Sequence, residues 1–404
     1  MNAPRRAAGH PASRRRITGF RIALSTLGLA FAASAGALGA VSLRVARTVV
    51  RPAGRRPDTR IVRLDTAAQT ITLARTPDTA LPGRYGLFTV GSVEYLRLGS
   101  IVGDDETTVT RKLLTHVAAD GDLAPEAAFS GWYFDQPGQL HLPMRDVDVE
   151  TGVGACPAWE FPAAEPTDVW VIQVHGRGTT RAETLRAVPV FHALGITSLV
   201  VSYRNDGDAP ASPSGTYALG ATEWRDLDAA IGYARRQGAR RVIVMGWSMG
   251  GALALQAALE SPHGDVIAGL VLDSPVVDWR TVLSFQGRAM RLPAPVIALA
   301  QRTIRSGWGA AMLRTGEPIP LDRLDVVSRA RSLRHPVLIL HSDDDGFVPS
   351  DASHALAAAR PDLVTMETFT TARHTKLWNY DETRWSEAIA RWVRDRGLAR
   401  TGGE

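Results

Sequence analysis

Ser248 stands at the centre of the run Gly246-Trp247-Ser248-Met249-Gly250-Gly251. An apolar stretch, Arg241–Met245, leads into it and a helical stretch, Met249–Glu260, leads out. A serine on such a strand-to-helix turn is held in a strained conformation with its hydroxyl exposed above the sheet, and flanking glycines let the two backbones pass closely. The chemistry on offer is nucleophilic. A hydroxyl is a weak nucleophile at neutral pH and needs a base beside it, itself oriented by an acid. Both residue types follow later in the chain, each after an apolar run. Val337–Leu340 precedes His341-Ser342-Asp343-Asp344-Asp345-Gly346-Phe347-Val348-Pro349, and Val364–Phe369 precedes Thr370-Thr371-Ala372-Arg373-His374. No other histidine lies beyond the last of these runs, which makes His374 the candidate base. The consecutive aspartates 343, 344 and 345 supply candidates for the acid. They lack the alternating spacing of a calcium loop. The free N–H groups that open the helix after Ser248 suit negative charge developing on a reacting carbonyl.

These residues meet only if particular elements bring them together. From about Asp146 onward, short apolar runs alternate with longer amphipathic ones. Val169–Val174, Thr197–Ser202, Arg241–Met245, Val266–Leu272, Val337–Leu340 and Val364–Phe369 read as strands. Arg181–Leu194, Thr222–Gln237, Met249–Glu260, Ser350–Ala359 and Thr383–Arg396 read as helices. The alternation predicts an α/β fold with a mostly parallel sheet and helices on both faces. Active residues then belong on loops beyond the C-terminal ends of the strands. Residues 276–334 exceed what a minimal sheet requires. Their apolar stretch Pro293–Ile304, with Trp279, Phe285, Met290, Trp308 and Met312, fits either packing on the core or an apolar lining.

Residues 146–397 resemble the α/β-hydrolase superfamily, in particular its prolyl-oligopeptidase-like, serine-aminopeptidase-like and esterase branches. The resemblance rests on the G-x-S-x-G turn and on residues 341–349, which are similar to the family segment H-G-x-x-D-x-x-V-P. It implies a catalytic acid at Asp345, with Asp343 and Asp344 as the neighbouring alternatives; Ser342 departs from the usual glycine. His175-Gly176-Arg177-Gly178 resembles the family's oxyanion loop. That implies backbone N–H donors at Arg177 and Met249, with Gly178 as the alternative to Arg177. The Arg177 side chain is expected at the surface or on a substrate carboxylate. The resemblance further implies a triad of Ser248, Asp345 and His374, and a helical lid at about 276–334. The implied activity is a serine hydrolase that cleaves an ester or peptide-like amide bond through an acyl-enzyme, with no cofactor and no metal. An acyltransferase using the same triad, and a non-catalytic, membrane-tethered binding protein on the same scaffold, are the other readings.

The charge of the 404-residue chain is split. Residues 1–63 hold thirteen Arg and one acid, a net +12, whereas the remaining 341 residues hold 33 basic and 40 acidic groups, a net −7. An acidic main body argues against nucleic acid as a partner. The single cysteine, Cys156, excludes an internal disulfide framework. After a basic tail, 1–21, residues 22–43 carry no charge and are long enough as a helix to span a bilayer core of ~30 Å. They predict a single-pass membrane anchor with the catalytic domain outside the cytoplasm, with a cleaved signal segment or a buried soluble helix as the alternatives. An Arg-rich linker, 44–56, follows. Residues 57–140 show the strand signals Arg60–Asp65, Gln69–Ala74, Tyr85–Val90, Glu94–Val102 and Thr107–Leu114, broken by Pro, Gly and Asp, and predict a small β-rich module. The expected partners are an acyl-bearing small molecule or peptide as substrate and, through residues 22–43, a membrane.

Overall fold

The computed structural model describes residues 36–399. A first helix, α1, occupies residues 36–50. Residues 22–35 of the expected membrane segment, and the tail before them, lie outside the described residues. Residues 44–50, expected as linker, are instead helical. Ser42, Ala46 and Val50 recur every four residues and are fully buried, so one stripe of α1 packs on the body of the protein. Among the described residues no helix is long and apolar enough to cross a membrane.

Next comes a closed six-stranded antiparallel barrel, made of β1 (Thr59–Asp65), β2 (Thr70–Ala74), β3 (Tyr85–Phe88), β4 (Tyr95–Asp104), β5 (Thr108–Leu113) and β6 (Glu126–Ser130). Its order is β1-β2-β5-β4-β3-β6, and β6 returns to pair with β1. Ile71, Leu73, Leu87, Leu96, Leu98 and Phe129 fill the interior. The buried Arg111 donates to the carbonyls of Thr79, Leu81, Gly83 and Gly99 and so knits the loop between β2 and β3. Sequence reading missed β6, because Glu-Ala-Ala-Phe-Ser contains no β-branched residue.

The remainder is an eight-stranded sheet of β7 (Arg145–Thr151), β8 (Gly154–Phe161), β9 (Val169–Val174), β10 (Thr197–Val201), β11 (Arg241–Trp247), β12 (Ile267–Asp273), β13 (Val337–Ser342) and β14 (Val364–Phe369). Its order is β7-β8-β10-β9-β11-β12-β13-β14. The hairpin of β7 and β8 runs antiparallel at one edge, and the other six strands are parallel. Side chains alternate between two cores, as a strand requires. Trp170, Ile172 and Val174 join one; Val169 and Val171 join the other.

Helices α2 (Val188–Ala193), α3 (Trp224–Arg236), α4 (Met249–Glu260), α5 (Trp279–Ala289), α6 (Ala294–Arg305), α7 (Gly307–Leu313), α8 (Asp351–Ala359), α9 (Leu377–Tyr380) and α10 (Glu382–Arg394) complete the fold. The helix expected over Arg181–Leu194 is a 3₁₀ segment, Arg181–Ala187, followed by α2. Pro189, with no N–H to give, sits in the first turn of α2. Residues 276–334 form α5 to α7. Trp279 there is buried and its indole donates to the carbonyl of Leu219 at 2.7 Å, whereas Met290, Trp308 and Met312 are exposed. Helix α1 lies along this insertion: Ser42 Oγ donates to the carbonyl of Val296 at 3.2 Å and Arg47 to that of Met312 at 3.4 Å.

The strand order reverses around β9, which lies between β10 and β11. At such a switch point the loops beyond neighbouring strands diverge to opposite faces and leave a crevice. The loops after β9 and β11 carry His175–Gly178 and Ser248.

Candidate active site

Ser248 follows β11 directly and caps α4, with φ 51° and ψ −115°. A non-glycine residue at positive φ is strained and persists only where its surroundings hold it. The surroundings here are close backbone passages. A Cβ at Gly246 would run into the carbonyl of Gly250, and one at Gly250 into the carbonyl of Val174. The turn is locked further, since the Ser248 carbonyl accepts from Gly251 and Val276 at 3.0 Å each.

The structure brings Ser248, His374 and Asp345 into one hydrogen-bonded chain. His374 Nε2 lies 3.0 Å from Ser248 Oγ, and His374 Nδ1 lies 2.7 Å from Asp345 Oδ2. The Asp345 side chain is fully buried. Its Oδ1 accepts from the N–H groups of Phe347 and Val348, both at 2.8 Å. Burial pushes this carboxyl upward, but the imidazole of His374 and the hydrogen bond from His341 outweigh burial and hold it well below the usual carboxylate range. His341 is buried against it, with Nδ1 2.8 Å from Ser353 Oγ and Nε2 3.0 Å from the Val348 carbonyl. The other two aspartates turn elsewhere. Asp343 takes Ser350 Oγ and His354 Nε2, and Asp344 takes Arg373.

The loop after β9 lies against Ser248. A Cβ on Gly176 would come within 3.2 Å of Ser248 Cβ. Its N–H groups are divided: Gly176 donates to Glu183 Oε2 at 3.0 Å and Gly178 to the Tyr217 hydroxyl at 3.4 Å. Among the described residues the Arg177 N–H has no such partner. The Met249 N–H opens α4, where helix geometry leaves it free. The Arg177 side chain is half-buried at the surface. It donates to the carbonyls of Thr48, Val49 and Arg51 at the end of α1.

A second set of residues supports both loops. His175 Nε2 pairs with Asp206 Oδ2 at 3.1 Å, its ring stacks on Tyr203 at 4.3 Å, and the Tyr203 hydroxyl donates to the Gly176 carbonyl at 2.9 Å. Burial would raise the Glu183 carboxyl; the Arg186 cation and the donors at Gly176 and Thr179 outweigh it and hold the group below its ordinary value. Arg186, also buried, donates from Nη1 to the Thr375 carbonyl and to Asn379 Oδ1, both at 2.7 Å. On the other side of the His374 turn, Ser274 Oγ accepts from the Thr375 N–H at 3.1 Å and donates to Asp273 at 2.9 Å. Burial pushes the Asp273 carboxyl above its ordinary value. Among the described residues no group of three or more His, Cys, Asp or Glu could hold a metal ion. A cleft of about 730 Å³ between barrel and sheet, lined by Phe88, Tyr95, Trp132, Trp159 and Arg181, includes none of these site residues.

Comparison with known proteins agrees with this architecture. Residues 60–130 match a domain of unknown function (DUF8805), and residues 171–392 match the alpha/beta hydrolase family. Two uncharacterized proteins of Mycobacterium tuberculosis, from two strains, are each 28% identical over 225 residues, which is 53% of this chain and 66% of theirs. The chain thus spans just under two thirds of the curated relatives it matches. A Pyrococcus furiosus esterase structure superposes with a TM-score of 0.50 at 17% identity, covering 64% of this chain and 95% of its own, a likeness of fold. With more than half its length matched by the family model, and with this strand order, the chain belongs to the alpha/beta hydrolase family.

Proposed function

We propose that the protein is a serine hydrolase that cleaves an ester or peptide-like amide bond through an acyl-enzyme. The observation that carries this reading is the chain from Ser248 Oγ through His374 to Asp345, at 3.0 and 2.7 Å, with an Arg177 N–H that has no partner among the described residues. Ser248 Oγ attacks the substrate carbonyl while His374 Nε2 takes its proton. Asp345 accepts from His374 Nδ1–H, fixes the tautomer and stabilises the imidazolium. The oxyanion accepts from the N–H groups of Arg177 and Met249; each such donor is worth about 3–4 kcal/mol in related chemistry. His374 then protonates the leaving group, and water attacks the acyl-enzyme with His374 as base.

Helices α5 to α7 serve as the lid in this reading. Gln286 of α5 donates to the Phe347 carbonyl at 2.6 Å, and the Phe347 ring centre lies 5.2 Å from that of His374. The insertion thereby touches the turn that carries the acid.

The test is labelling of the full chain with a fluorophosphonate, which phosphonylates only an activated serine. Wild type is expected to gain one adduct by intact mass, located at Ser248, and Ser248→Ala to gain none. Equal labelling of the two proteins, or none in wild type, would overturn the reading.

A further inference from the structure

Arg177 sits where the site meets the N-terminal helix, and its role there rests on the proposal that its N–H is an oxyanion donor. The last four carbonyls of a helix have no N–H partner in their own helix. In α1 those of Thr48, Val49 and Arg51 converge on one guanidinium: Arg177 Nε donates to Val49 at 2.9 Å, and Nη2 to Thr48 at 2.6 Å and to Arg51 at 2.9 Å. The same end of α1 is gripped a second time. The Tyr217 N–H donates to the Val50 carbonyl at 2.7 Å, the Tyr217 hydroxyl accepts from Gly178, and the Arg177 guanidinium lies 5.6 Å from the Tyr217 ring centre. Helix α1 itself is seated by the buried Ser42, Ala46 and Val50.

The inner side of the loop 175–178 is held by Glu183 and Tyr203. Its outer side is held by α1. Oxyanion donors work only when placed to within a fraction of an ångström, and a misplacement of ~1 Å can cost ~10²-fold in rate. We propose that Arg177 is a positioning residue for the reaction and that α1 is an integral part of the active site. The side chain, clamped over the carbonyl end of α1, fixes the peptide plane that presents the Arg177 N–H to the oxyanion. The guanidinium fork suits the task, since a lysine ammonium cannot reach three carbonyls in fixed directions.

The test uses the full chain, with p-nitrophenyl butyrate and a fluorophosphonate as probes and amide hydrogen exchange as a readout independent of turnover. Arg177→Met keeps the length of the side chain and removes the donors. It should lower kcat and the phosphonylation rate about tenfold to a hundredfold, with KM within about threefold and the pH profile unshifted. Arg177→Lys should recover part of the loss. Ala46→Glu unseats α1 from its far side and should reproduce the defect. Arg177→Met with Ala46→Glu should be no worse than the worse single variant, because both break one contact. Exchange should rise in residues 36–50 and in 175–178 together in each single variant.

Wild-type kcat in Arg177→Met, multiplying losses in the double variant, or unmoved exchange in 175–178 would each overturn the clamp. A wild type that resists the fluorophosphonate, while Arg177→Met still loosens 175–178, would overturn the serine-hydrolase reading and leave the clamp standing.

Discussion

Asp345 carries the sharpest test at the scale of the single residue, because two other aspartates stand beside it. Only Asp345 reaches His374. Asp345→Asn should lower kcat about 10³–10⁴-fold by presenting the wrong hydrogen-bond polarity to Nδ1. Asp343→Asn and Asp344→Asn should stay within about threefold, since their partners are His354 and Arg373. The Asp345 carboxyl is held well below its ordinary value by His374 and His341. The same depression links this residue to stability. A carboxyl whose folded value is lowered contributes fully above its unfolded value of ~3.9, and the contribution fades as pH falls toward the folded value. Thermal midpoints measured from about pH 5 down to pH 2.5 should therefore drop more steeply in wild type than in Asp345→Asn; parallel curves would remove the linkage. Ser248 and His374 were legible as residues, from a motif and from chain order. Asp345 became legible only through a family segment. Glu183 and Arg186 were not legible, because each answers a partner on another loop that adjacency in the sheet brings near.

Elements were legible where their chemistry was one-sided. The parallel strands β9 to β14 are covered on both faces and read as apolar runs; the polar alternation of β7, at the sheet edge, did not stand out. Helix α1 was hidden because its Ala- and Gly-rich start reads as a membrane segment and its Arg-rich end as a tether. The barrel's task was equally hidden, since its contacts are made by turns. Asp78, between β2 and β3, receives Lys376 Nζ at 2.9 Å and lies 4.0 Å from Arg373 Nε, so it brackets the His374 turn from outside the sheet. This ion pair is partly exposed and worth little to global stability, about 0–1 kcal/mol. Asp78→Asn should accordingly leave the thermal midpoint nearly unchanged and lower kcat about threefold to tenfold, with KM steady. A lowered midpoint at unchanged kcat would show that the barrel supports the fold and not the turn. Within the sheet, Gly250→Ala forces a Cβ into the Val174 carbonyl and should cost about 1–3 kcal/mol in urea unfolding.

At the scale of the whole molecule, barrel and sheet converge on one buried cation, Arg186. The segment expected as linker is a strap: Arg177 caps its helix, and Arg55 lies over the rings of Phe88 and Trp132 at 3.9 and 4.8 Å. The barrel reaches inward through Arg84, whose carbonyl accepts from Asn379 Nδ2 at 2.7 Å. Asn379 accepts from Arg186, which also donates to Thr375 beside His374 and neutralises Glu183, the acceptor for Gly176 in the oxyanion loop. Both halves of the site and the barrel are thus joined through Arg186. Arg186→Met removes the cation that favours the ionised Glu183 carboxyl and leaves that buried charge with only its Gly176 and Thr179 donors, which should lower stability. Adding Glu183→Gln removes the stranded charge while keeping an acceptor for Gly176, so most of the stability measured by urea unfolding should return. The kcat should not return, because the Thr375 carbonyl still lacks its donor and the His374 turn stays loose. Recovery of neither quantity would mean that the cost of Arg186→Met is packing and not charge. Recovery of both would mean that Arg186 balances a charge without positioning the base, and that the two halves of the site are held separately.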